Sequence, residues 1–427
     1  MRGIGRQTWT MTLALAWSAA TALGDDWPQW RGPNRDAVYR ETGLLETFPK
    51  SGLPIRWRVA AGWGFASPVV AQGRVYLADS EVAKPNAKER LRCFDAATGA
   101  PHWTYSYDVS YPDWAFDPAQ EIGPVATPIV QDGKVYALGR VGHAYCLDAR
   151  SGDVIWKRDL GKDYGIAIGP GHPSPLVEGD VLILFVGGKP AASVIALDKH
   201  NGREVWRSLS EAATFSSPIV VELAGRRQLI VWTQESVASL NPGDGEVLWR
   251  QRLNTSGDYA VSTPVCADGK LLVGGLMFAL DAKKPAATVL WPASRAPSRR
   301  IFSHTSTALV QGDYLYTAKS TGELICVDAR TGKQAWEEKG VTDLKNGASI
   351  HLTANGDSAL LFTDRGELIR ARLSAEGYRE LGRAALLAPT FEFGGRKVAW
   401  SPPAYANRHV FVRSGKELVC ASLAAER

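Results

Sequence analysis

Residues 144–156 read Ala-Tyr-Cys-Leu-Asp-Ala-Arg-Ser-Gly-Asp-Val-Ile-Trp, which is an apolar run, a short acidic turn and a second run that carries a tryptophan. The two runs have the composition of β-strands. Between them, Asp148 can accept backbone hydrogen bonds across the turn, and Gly152 supplies the positive φ that a tight hairpin needs. The stretch therefore predicts a β-hairpin.

The same pattern recurs along the chain about every 45 residues. Further copies end at Trp103, Trp206, Trp249 and Trp336, a longer copy without glycine ends at Trp291, and Trp57 stands alone without an acidic turn. A period of this length with strand-like flanks is typical of a β-propeller. Because one site does not need the same residue in every blade, we expect all seven tryptophans to dock neighbouring blades together. Stacking of these indoles on a bound ligand is the alternative.

A second repeated element predicts the number of blades. A Ser/Thr-Pro pair, or a degenerate version of it, opens an apolar run at residues 67, 127, 174, 217, 263, 305, 348 and 401. Proline is tolerated at the first residue of a strand, so these runs predict eight innermost strands. Residues 378–381 supply a missing outer strand, and the segment around Trp57 should pair with residues 417–420. We predict an all-β fold, an eight-bladed propeller of four-stranded blades closed by N- and C-terminal strands.

The N-terminus has the pattern of an export signal. Arg2 and Arg6 precede an apolar run at residues 11–17, and small residues precede Asp25. We divide the chain into a signal peptide (1–24), a lead-in segment (25–54) and the propeller (55–427). The prediction is a periplasmic or secreted protein without a lipid anchor, since no cysteine stands at the cleavage site. A disordered or membrane-anchoring start is the alternative.

Charge and cysteine placement exclude several classes of function. The net charge is only +5 over 427 residues and no long basic cluster occurs, which argues against nucleic-acid binding. Cys93, Cys146 and Cys326 each stand two residues before a turn acid, a position suited to a small buried side chain. No CxxC motif or Cys/His cluster occurs, so we expect free thiols, no metal site and a monomer.

The repeat resembles the tryptophan-docking motif of the pyrroloquinoline quinone (PQQ) propeller superfamily over residues 55–427. The lead-in at residues 27–33, Trp-Pro-Gln-Trp-Arg-Gly-Pro, is similar to the start of secreted bacterial PQQ-like repeat proteins. The superfamily contains quinoprotein alcohol dehydrogenases and non-catalytic relatives such as the propeller subunit of the outer-membrane β-barrel assembly machinery. The resemblance to the enzymes would imply an adjacent Cys-Cys pair and a calcium site.

No two cysteines are adjacent in this chain, and no motif carries the enzymes' calcium ligands or catalytic base. We therefore expect a non-catalytic binding or scaffolding module of the cell envelope, without a cofactor and without a transmembrane segment in the mature chain. A PQQ-dependent dehydrogenase holding PQQ and calcium is the alternative.

Loops that lead into the innermost strands of a propeller gather on one face. Here they carry candidate ligand-binding residues, namely Trp63, Phe65, Trp114, His172, Phe215, Tyr259, His304 and Trp400. Such a surface suits a protein, peptide or glycan ligand. The alternative is that these side chains plug the channel and pack on one another.

The longest insertion, residues 105–120, lies on the same face. Its five aromatic side chains could form a lid, or could pack over the joint between two blades. Asp108, Asp113, Asp117 and Glu121 could form a calcium site or an acid/base pair, but their spacing matches no calcium loop. A solvated acidic loop is the alternative.

Overall fold

The computed structural model describes residues 26–166, 172–253, 260–292, 302–303 and 305–425, so the predicted signal peptide lies outside the described residues. These residues form eight four-stranded antiparallel sheets and one separate two-stranded hairpin. The sheets are arranged as the blades of a propeller, which confirms the predicted fold class. Within the described ranges, no helix combines the length and the apolar character needed to cross a bilayer.

The chain enters the ring at β1 (Ile55–Ala60) and then builds four blades in order. Blade 1 consists of β2 (Val69–Ala71), β3 (Arg74–Ala83), β4 (Asn86–Asp95) and β5 (Pro101–Val109). Blade 2 consists of β6 (Ile129–Gln131), β7 (Lys134–Leu138), β8 (His143–Asp148) and β9 (Val154–Asp159). Blade 3 consists of β10 (Leu176–Glu178), β11 (Val181–Gly188), β12 (Ala192–Asp198) and β13 (Glu204–Ser208). Blade 4 consists of β14 (Ile219–Leu223), β15 (Arg226–Trp232), β16 (Ser236–Leu240) and β17 (Val247–Arg252).

The second half of the ring repeats this order. Blade 5 consists of β18 (Val265–Ala267), β19 (Lys270–Val273), β20 (Leu276–Leu280) and β21 (Ala287–Trp291). Blade 6 consists of β22 (Leu309–Gln311), β23 (Tyr314–Ala318), β24 (Leu324–Asp328) and β25 (Gln334–Glu338). Blade 7 consists of β26 (Ile350–Asn355), β27 (Ser358–Thr363), β28 (Glu367–Leu373) and β29 (Tyr378–Ala385). Blade 8 contains β32 (Ala404–Ala406), β33 (His409–Arg413) and β34 (Glu417–Ser422).

Three short elements interrupt this regular order. Two 3₁₀ turns lie at Asp113–Phe116 and Pro118–Gln120, and one short helix, α1, spans Leu160–Tyr164. A hairpin of β30 (Phe391–Phe393) and β31 (Arg396–Val398) lies between blades 7 and 8, and sequence patterns did not predict it.

Blade 8 closes the ring with strands from both ends of the chain, as predicted. Its order is β1, β34, β33 and β32, so β1 is the outermost strand. Trp57 lies opposite Cys420, and Ala60 lies opposite Glu417. Because β1 pairs with β34, the edges at which the two ends of the chain meet are both hydrogen-bonded.

The acidic turns have the local geometry that their sequence indicates. Asp148 Oδ1 accepts hydrogen bonds of 2.8 Å from the backbone N–H groups of Arg150 and Ser151. Gly152 has φ +79°. The register then shifts between Cys146 and Leu147, which places Trp156 directly opposite Cys146.

Each repeated tryptophan faces the next blade in the same way, with one exception. Six indole Nε1 atoms donate to backbone carbonyls of the following blade, from Trp57 to Ala96, Trp103 to Ala149, Trp156 to Lys199, Trp206 to Pro242, Trp291 to Ala329 and Trp336 to Ser374. Trp249 instead donates to Gln228 Oε1 of its own blade at 3.0 Å. The copy that follows Trp249 is the one that has lost its turn glycine.

All five cysteines are free thiols, and four of them are buried. Cys93 and Cys146 occupy the strand position opposite a docked tryptophan, where only a small side chain fits. Burial raises the pKa of Cys93 to about 11 and that of Cys146 to about 12. These thiols therefore stay protonated near neutral pH and pack as apolar groups.

Candidate binding face and central channel

The lead-in segment crosses the central channel and contacts inner strands on several sides of the ring. Trp27 N donates to Val70 O of blade 1, and Pro28 O accepts from Val130 N of blade 2, both at 2.8 Å. Three further contacts reach more distant blades: Trp30 Nε1 to Thr263 Oγ1, Arg35 Nη1 to Pro175 O, and the bridge between Val38 and Ala354. Because these strands belong to blades 1, 2, 3, 5 and 7, residues 27–38 (the channel hairpin) fill the axis.

A tight turn at the tip allows the channel hairpin to reverse inside the ring. Arg31, Gly32, Arg35 and Ala37 all have positive φ values. A Cβ atom at Gly32 would lie 2.9 Å from Cζ3 of Trp27, so only glycine fits beside this indole. The sequence predicted only a lead-in for this segment, although Trp27 and Trp30 within it indicate burial.

Hydroxyl groups from the Ser/Thr-Pro positions link neighbouring blades around the channel. The N–H groups of Ser67, Thr127 and Ser174 donate to the hydroxyl oxygens of Thr127, Ser174 and Ser217 at 3.0 to 3.1 Å. Thr263 N donates in the same way to Thr307 Oγ1. The hydroxyl oxygens of Thr127, Ser174, Ser217 and Thr307 thus each satisfy a buried N–H group of the preceding blade.

Four aromatic rings from three separate segments meet on the face where the outer-to-inner loops gather. Phe65, Phe391, Phe393 and Trp400 (the aromatic cluster) have ring centroids 4.7 to 6.5 Å apart in their contacting pairs. Trp400 Nε1 also donates to Gly347 O at 3.0 Å. All four rings are half-buried. The structure thus brings the candidates Phe65 and Trp400 together, and adds Phe391, which the sequence analysis had not singled out.

The other candidate residues lie in different environments. Trp63 is half-buried and its backbone pairs with Ser80, whereas Trp114 is 50% exposed. Phe215 is half-buried. His172 is only 3% exposed, and burial, reinforced by the Arg140 charge, lowers its pKa to about 4. Tyr259 and His304 lie outside the described residues.

The insertion after blade 1 is anchored by a buried carboxylate. Residues 105–109 continue strand β5, so the insertion begins later than the sequence analysis placed it. The hydroxyls of Tyr107 and Tyr111 donate to Glu89, and so does Arg140 N at 3.0 Å. Burial raises the pKa of Glu89, while these donors oppose the shift. The sequence signal for this network is Glu89, a charged residue inside strand β4, and none of the sequence predictions used it.

The acidic residues of the insertion do not converge. Asp108 and Asp113 are exposed and face Lys88 and Lys84, and Asp117 accepts a hydrogen bond from Ala119 N. Glu121 is buried and accepts from Thr390 Oγ1 at 3.1 Å, which ties the insertion to the loop that carries Phe391. In the described ranges, no three His, Cys, Asp or Glu side chains are placed to hold a metal ion.

The cavity that the described residues enclose beside the channel hairpin is small compared with PQQ. Between the channel hairpin and the inner strands of blades 6 to 8, a cavity of about 20 Å³ remains, beside Trp30, Arg31 and His351. Its walls are the chain's own indole, guanidinium and proline groups, and none of its lining residues is acidic. The described residues that line this cavity therefore do not fit PQQ together with a calcium ion.

The chain also matches a known protein family. The family model described as outer membrane protein assembly factor BamB matches residues 87–338. The protein of that name from Moranella endobia is 27% identical over 229 residues, covering 50% of this chain and 56% of that protein. The chain therefore spans little more than half the length of this curated relative.

Solved structures show the same fold at low sequence identity. BamB from Moraxella catarrhalis is 15% identical with a TM-score of 0.58, over 86% of this chain and 99% of that one. Quinohemoprotein alcohol dehydrogenase from Comamonas testosteroni is also 15% identical, with a TM-score of 0.65 over 94% and 81%. Because the family model covers more than half of its length, the chain belongs to the family of outer membrane protein assembly factor BamB.

Proposed function

We propose that this protein is an exported, non-catalytic propeller that binds or scaffolds protein partners in the cell envelope through its aromatic loop face. The observation that carries the proposal is the aromatic cluster. Its four rings come from three separate segments, pack edge to face or tilted, and remain half-exposed. Rigid aromatic groups with one solvated side are the usual anchors of protein interfaces.

The filled channel supports a role for the face rather than for the axis. A ligand entering along the axis would have to displace Trp27, which is 3% exposed, and Trp30, whose indole is hydrogen-bonded to Thr263. A ligand that docks on the loops displaces only water. The loop face is therefore the more accessible recognition surface of the described ring.

Exposed apolar side chains on other loops of the same face extend this surface. Trp114 and Leu344 are each 50% exposed, and the Glu121–Thr390 contact holds the insertion next to the hairpin that carries Phe391 and Phe393. Exposed apolar groups that adjoin a semi-buried aromatic patch are typical of interaction sites. A peptide or protein segment suits this arrangement, and a glycan is the alternative ligand.

The proposed location combines the N-terminal pattern with the family. Residues 1–24 have the features of a signal peptide, and the relatives are by name outer-membrane assembly factors. We infer that the mature chain begins near Asp25, lies in the periplasm or outside the cell, and carries no cofactor. Mass spectrometry of the mature N-terminus tests this inference, and a retained Met1 would contradict it.

Partner capture from the envelope fraction tests the binding role. The bait should be the wild-type protein, the Trp114→Ala and Trp400→Ala variants, and Leu290→Ala, which removes an exposed leucine from an outer strand away from the face. We expect the wild type and Leu290→Ala to recover the same partners after cross-linking, and the two tryptophan variants to lose them. Equal recovery by all four baits would refute the role of the face.

A dye-linked dehydrogenase assay with added PQQ and calcium tests the alternative. We expect no turnover of alcohols by the wild-type protein. Turnover that depends on PQQ would replace the scaffold proposal with a quinoprotein dehydrogenase.

A further inference from the structure

The tip of the channel hairpin carries two arginines whose hydrogen bonds go almost entirely to carbonyl groups. Arg35 is 7% exposed and donates to Pro175 O at 2.6 Å, Ser174 O at 3.2 Å and Gln29 Oε1 at 3.2 Å. Its Nε has no hydrogen-bond partner. Among the described residues, the Arg31 guanidinium donates to Arg35 O at 3.4 Å and to Asp36 O at 3.5 Å, both of them long hydrogen bonds.

Neither guanidinium forms an ion pair with a carboxylate of the described residues. The carboxylate of Asp36, the acid nearest in sequence, is held by Arg40 at 2.6 Å. Two other buried cations of the ring are paired, Arg396 with Asp364 at 2.6 Å and Lys199 with Asp132 at 3.4 Å. Buried Arg413 instead donates to the carbonyl groups of Gly62 and Gly64. Burial of a charge is costly unless an opposite charge compensates it. The charge of Asp36 still acts on Arg31 and opposes the lowering of its pKa, so the charge of Arg31 is compensated only in part, and no carboxylate of the described residues pairs with Arg35.

Both arginines keep their charge at neutral pH despite this environment. Burial lowers the pKa of Arg31 to about 10, and burial together with the Arg31 charge lowers that of Arg35 to about 9. The two side chains therefore act as neighbouring fixed cations.

The small cavity lies directly beside Arg31. It is lined by Trp27, Trp30, Thr307, His351, Thr353 and Pro402 among others, and has a volume of about 20 Å³. Thr307 Oγ1 accepts the N–H of Thr263, which leaves its O–H free to donate into the cavity. A site of this size holds one small polar species, and its guanidinium and hydroxyl donors select for an acceptor.

We propose that this cavity binds one small anion, a halide or a short carboxylate, with the Arg31 guanidinium as its main ligand. Thr307 contributes a hydroxyl donor, and Arg35, the other arginine at the tip of the hairpin, adds positive charge. The bound anion compensates the charge on the axis and fastens the hairpin against blades 6 to 8. The ligands of this site differ from the side chains of the proposed partner-binding face, although His351 of the cavity contacts the backbone of Trp400.

His351 offers a reporter for the site. Its Nε2 lies 2.8 Å from Trp400 O, and burial together with the Arg31 charge lowers its pKa to about 4. An anion beside Arg31 screens that charge and stabilises a protonated imidazole. Binding should therefore raise the pKa of His351.

Thermal unfolding with chloride or acetate tests the proposal. Each anion replaces a bulky buffer anion at constant ionic strength, and the proteins are the wild type, Arg31→Gln and Arg56→Gln. Arg56 is exposed on β1, so its variant matches the change in net charge. We expect Tm to rise saturably with anion concentration for the wild type and for Arg56→Gln. For Arg31→Gln, we expect the apparent affinity for the anion to be weaker by about tenfold or more. A response to chloride, acetate or both identifies the preferred anion.

Two results would overturn the proposal. One is the absence of a saturable response to either anion in the wild type, and the other is an equal response in Arg31→Gln. If Arg31→Gln does not fold, NMR titration of His351 in the wild type decides instead. A pKa of His351 that rises with the saturating anion supports the site, and an unchanged pKa rejects it.

Discussion

The indole of Trp57 rests directly on Gly99, since a Cβ atom at Gly99 would lie only 2.8 Å from Cδ2 of that ring. Trp57 belongs to the outermost strand of blade 8, and Gly99 to the turn of blade 1, so this contact joins the last blade to the first. Gly99 also has φ +74°. The turn glycine therefore satisfies two demands at once, a left-handed backbone and room for the neighbouring indole.

Truncation of a docked tryptophan should be strongly destabilising. Trp206 is 7% exposed, lies on Gly245 and donates to Pro242 O at 3.0 Å. We expect Trp206→Ala, and likewise Trp156→Ala, to lower the free energy of unfolding by about 3–5 kcal/mol in urea titrations. The exposed Trp114→Ala should change it by less than about 0.5 kcal/mol. A cost below about 1 kcal/mol for Trp206→Ala would show that the indole does not hold the blades together.

Loss of the closing strands should destabilise the whole ring. Deletion of residues 412–427 removes β34 and the last two residues of β33, which leaves β1 without a partner strand and opens one edge of β33. We expect Tm, measured by circular dichroism, to fall by about 5 °C or more. Removal of residues 426–427 alone serves as the control. A truncated protein with the parental Tm would mean that closure contributes nothing.

The hydroxyl chain around the channel can be tested at one link. Ser174 is 3% exposed, and its hydroxyl accepts the N–H of Thr127 at 3.0 Å. Ser174→Ala leaves this buried N–H without an acceptor, which should cost about 1–3 kcal/mol of unfolding free energy. The exposed Ser210→Ala should have no measurable effect in the same urea titration. Equal stability of the two variants would argue that water replaces the hydroxyl.

Stability should fall as the pH is lowered below about 6.5. Burial lowers the pKa of both His172 and His351 to about 4 in the folded state, so the unfolded chain takes up protons first. The part of the unfolding free energy that depends on these two neutral imidazoles is fully present above about pH 6.5. It is lost as the pH falls toward 4, at about 1.4 kcal/mol per pH unit for each group. In urea titrations between pH 7 and 5, the unfolding free energy of His351→Gln should depend less steeply on pH than that of the wild type. An unaltered slope for His351→Gln would contradict this assignment.

Two variants distinguish partner recognition by the aromatic face from simple packing of its rings. If the face recognises a partner, Trp63→Ala and Trp400→Ala should reduce partner recovery with little loss of stability. If these rings only pack together, the same changes should lower the unfolding free energy and leave recovery intact. Melting curves and capture yields of both variants distinguish the cases. For Trp400, which contacts three phenylalanine rings, we expect some loss of stability along with the loss of binding.

The ring was predictable because its determinants are local and repeated. The turn acid, the glycine and the tryptophan lie within nine residues of one another, so one copy such as Asp148 to Trp156 indicates a hairpin, and the period indicates the blades. The closure at Trp57 followed from counting strands. Even the exception at Trp249 coincides with a lost glycine in the next copy.

The site was less predictable because its contacts are distant in sequence and occur once. Trp30 meets Thr263, and Phe65 meets Phe391, without any spacing that marks these pairs. Glu89 accepts three hydrogen bonds from loops that only the fold brings together. Such contacts depend on the arrangement of the blades, and no periodic pattern encodes them.

The pairing of β1 with β34 also constrains the order of folding. Ile55 and Ala421 are partners in space, although they stand near opposite ends of the 427-residue chain. The channel hairpin likewise needs the inner strands of blades 5 and 7 before it can settle. The channel hairpin and β1 are synthesised before the blades that they contact, so they are among the last segments to reach their places, and closure costs the entropy of a loop as long as the ring. Until that step, an assembling molecule carries two open sheet edges and a hollow core, and this is the stage at which it is most exposed to aggregation.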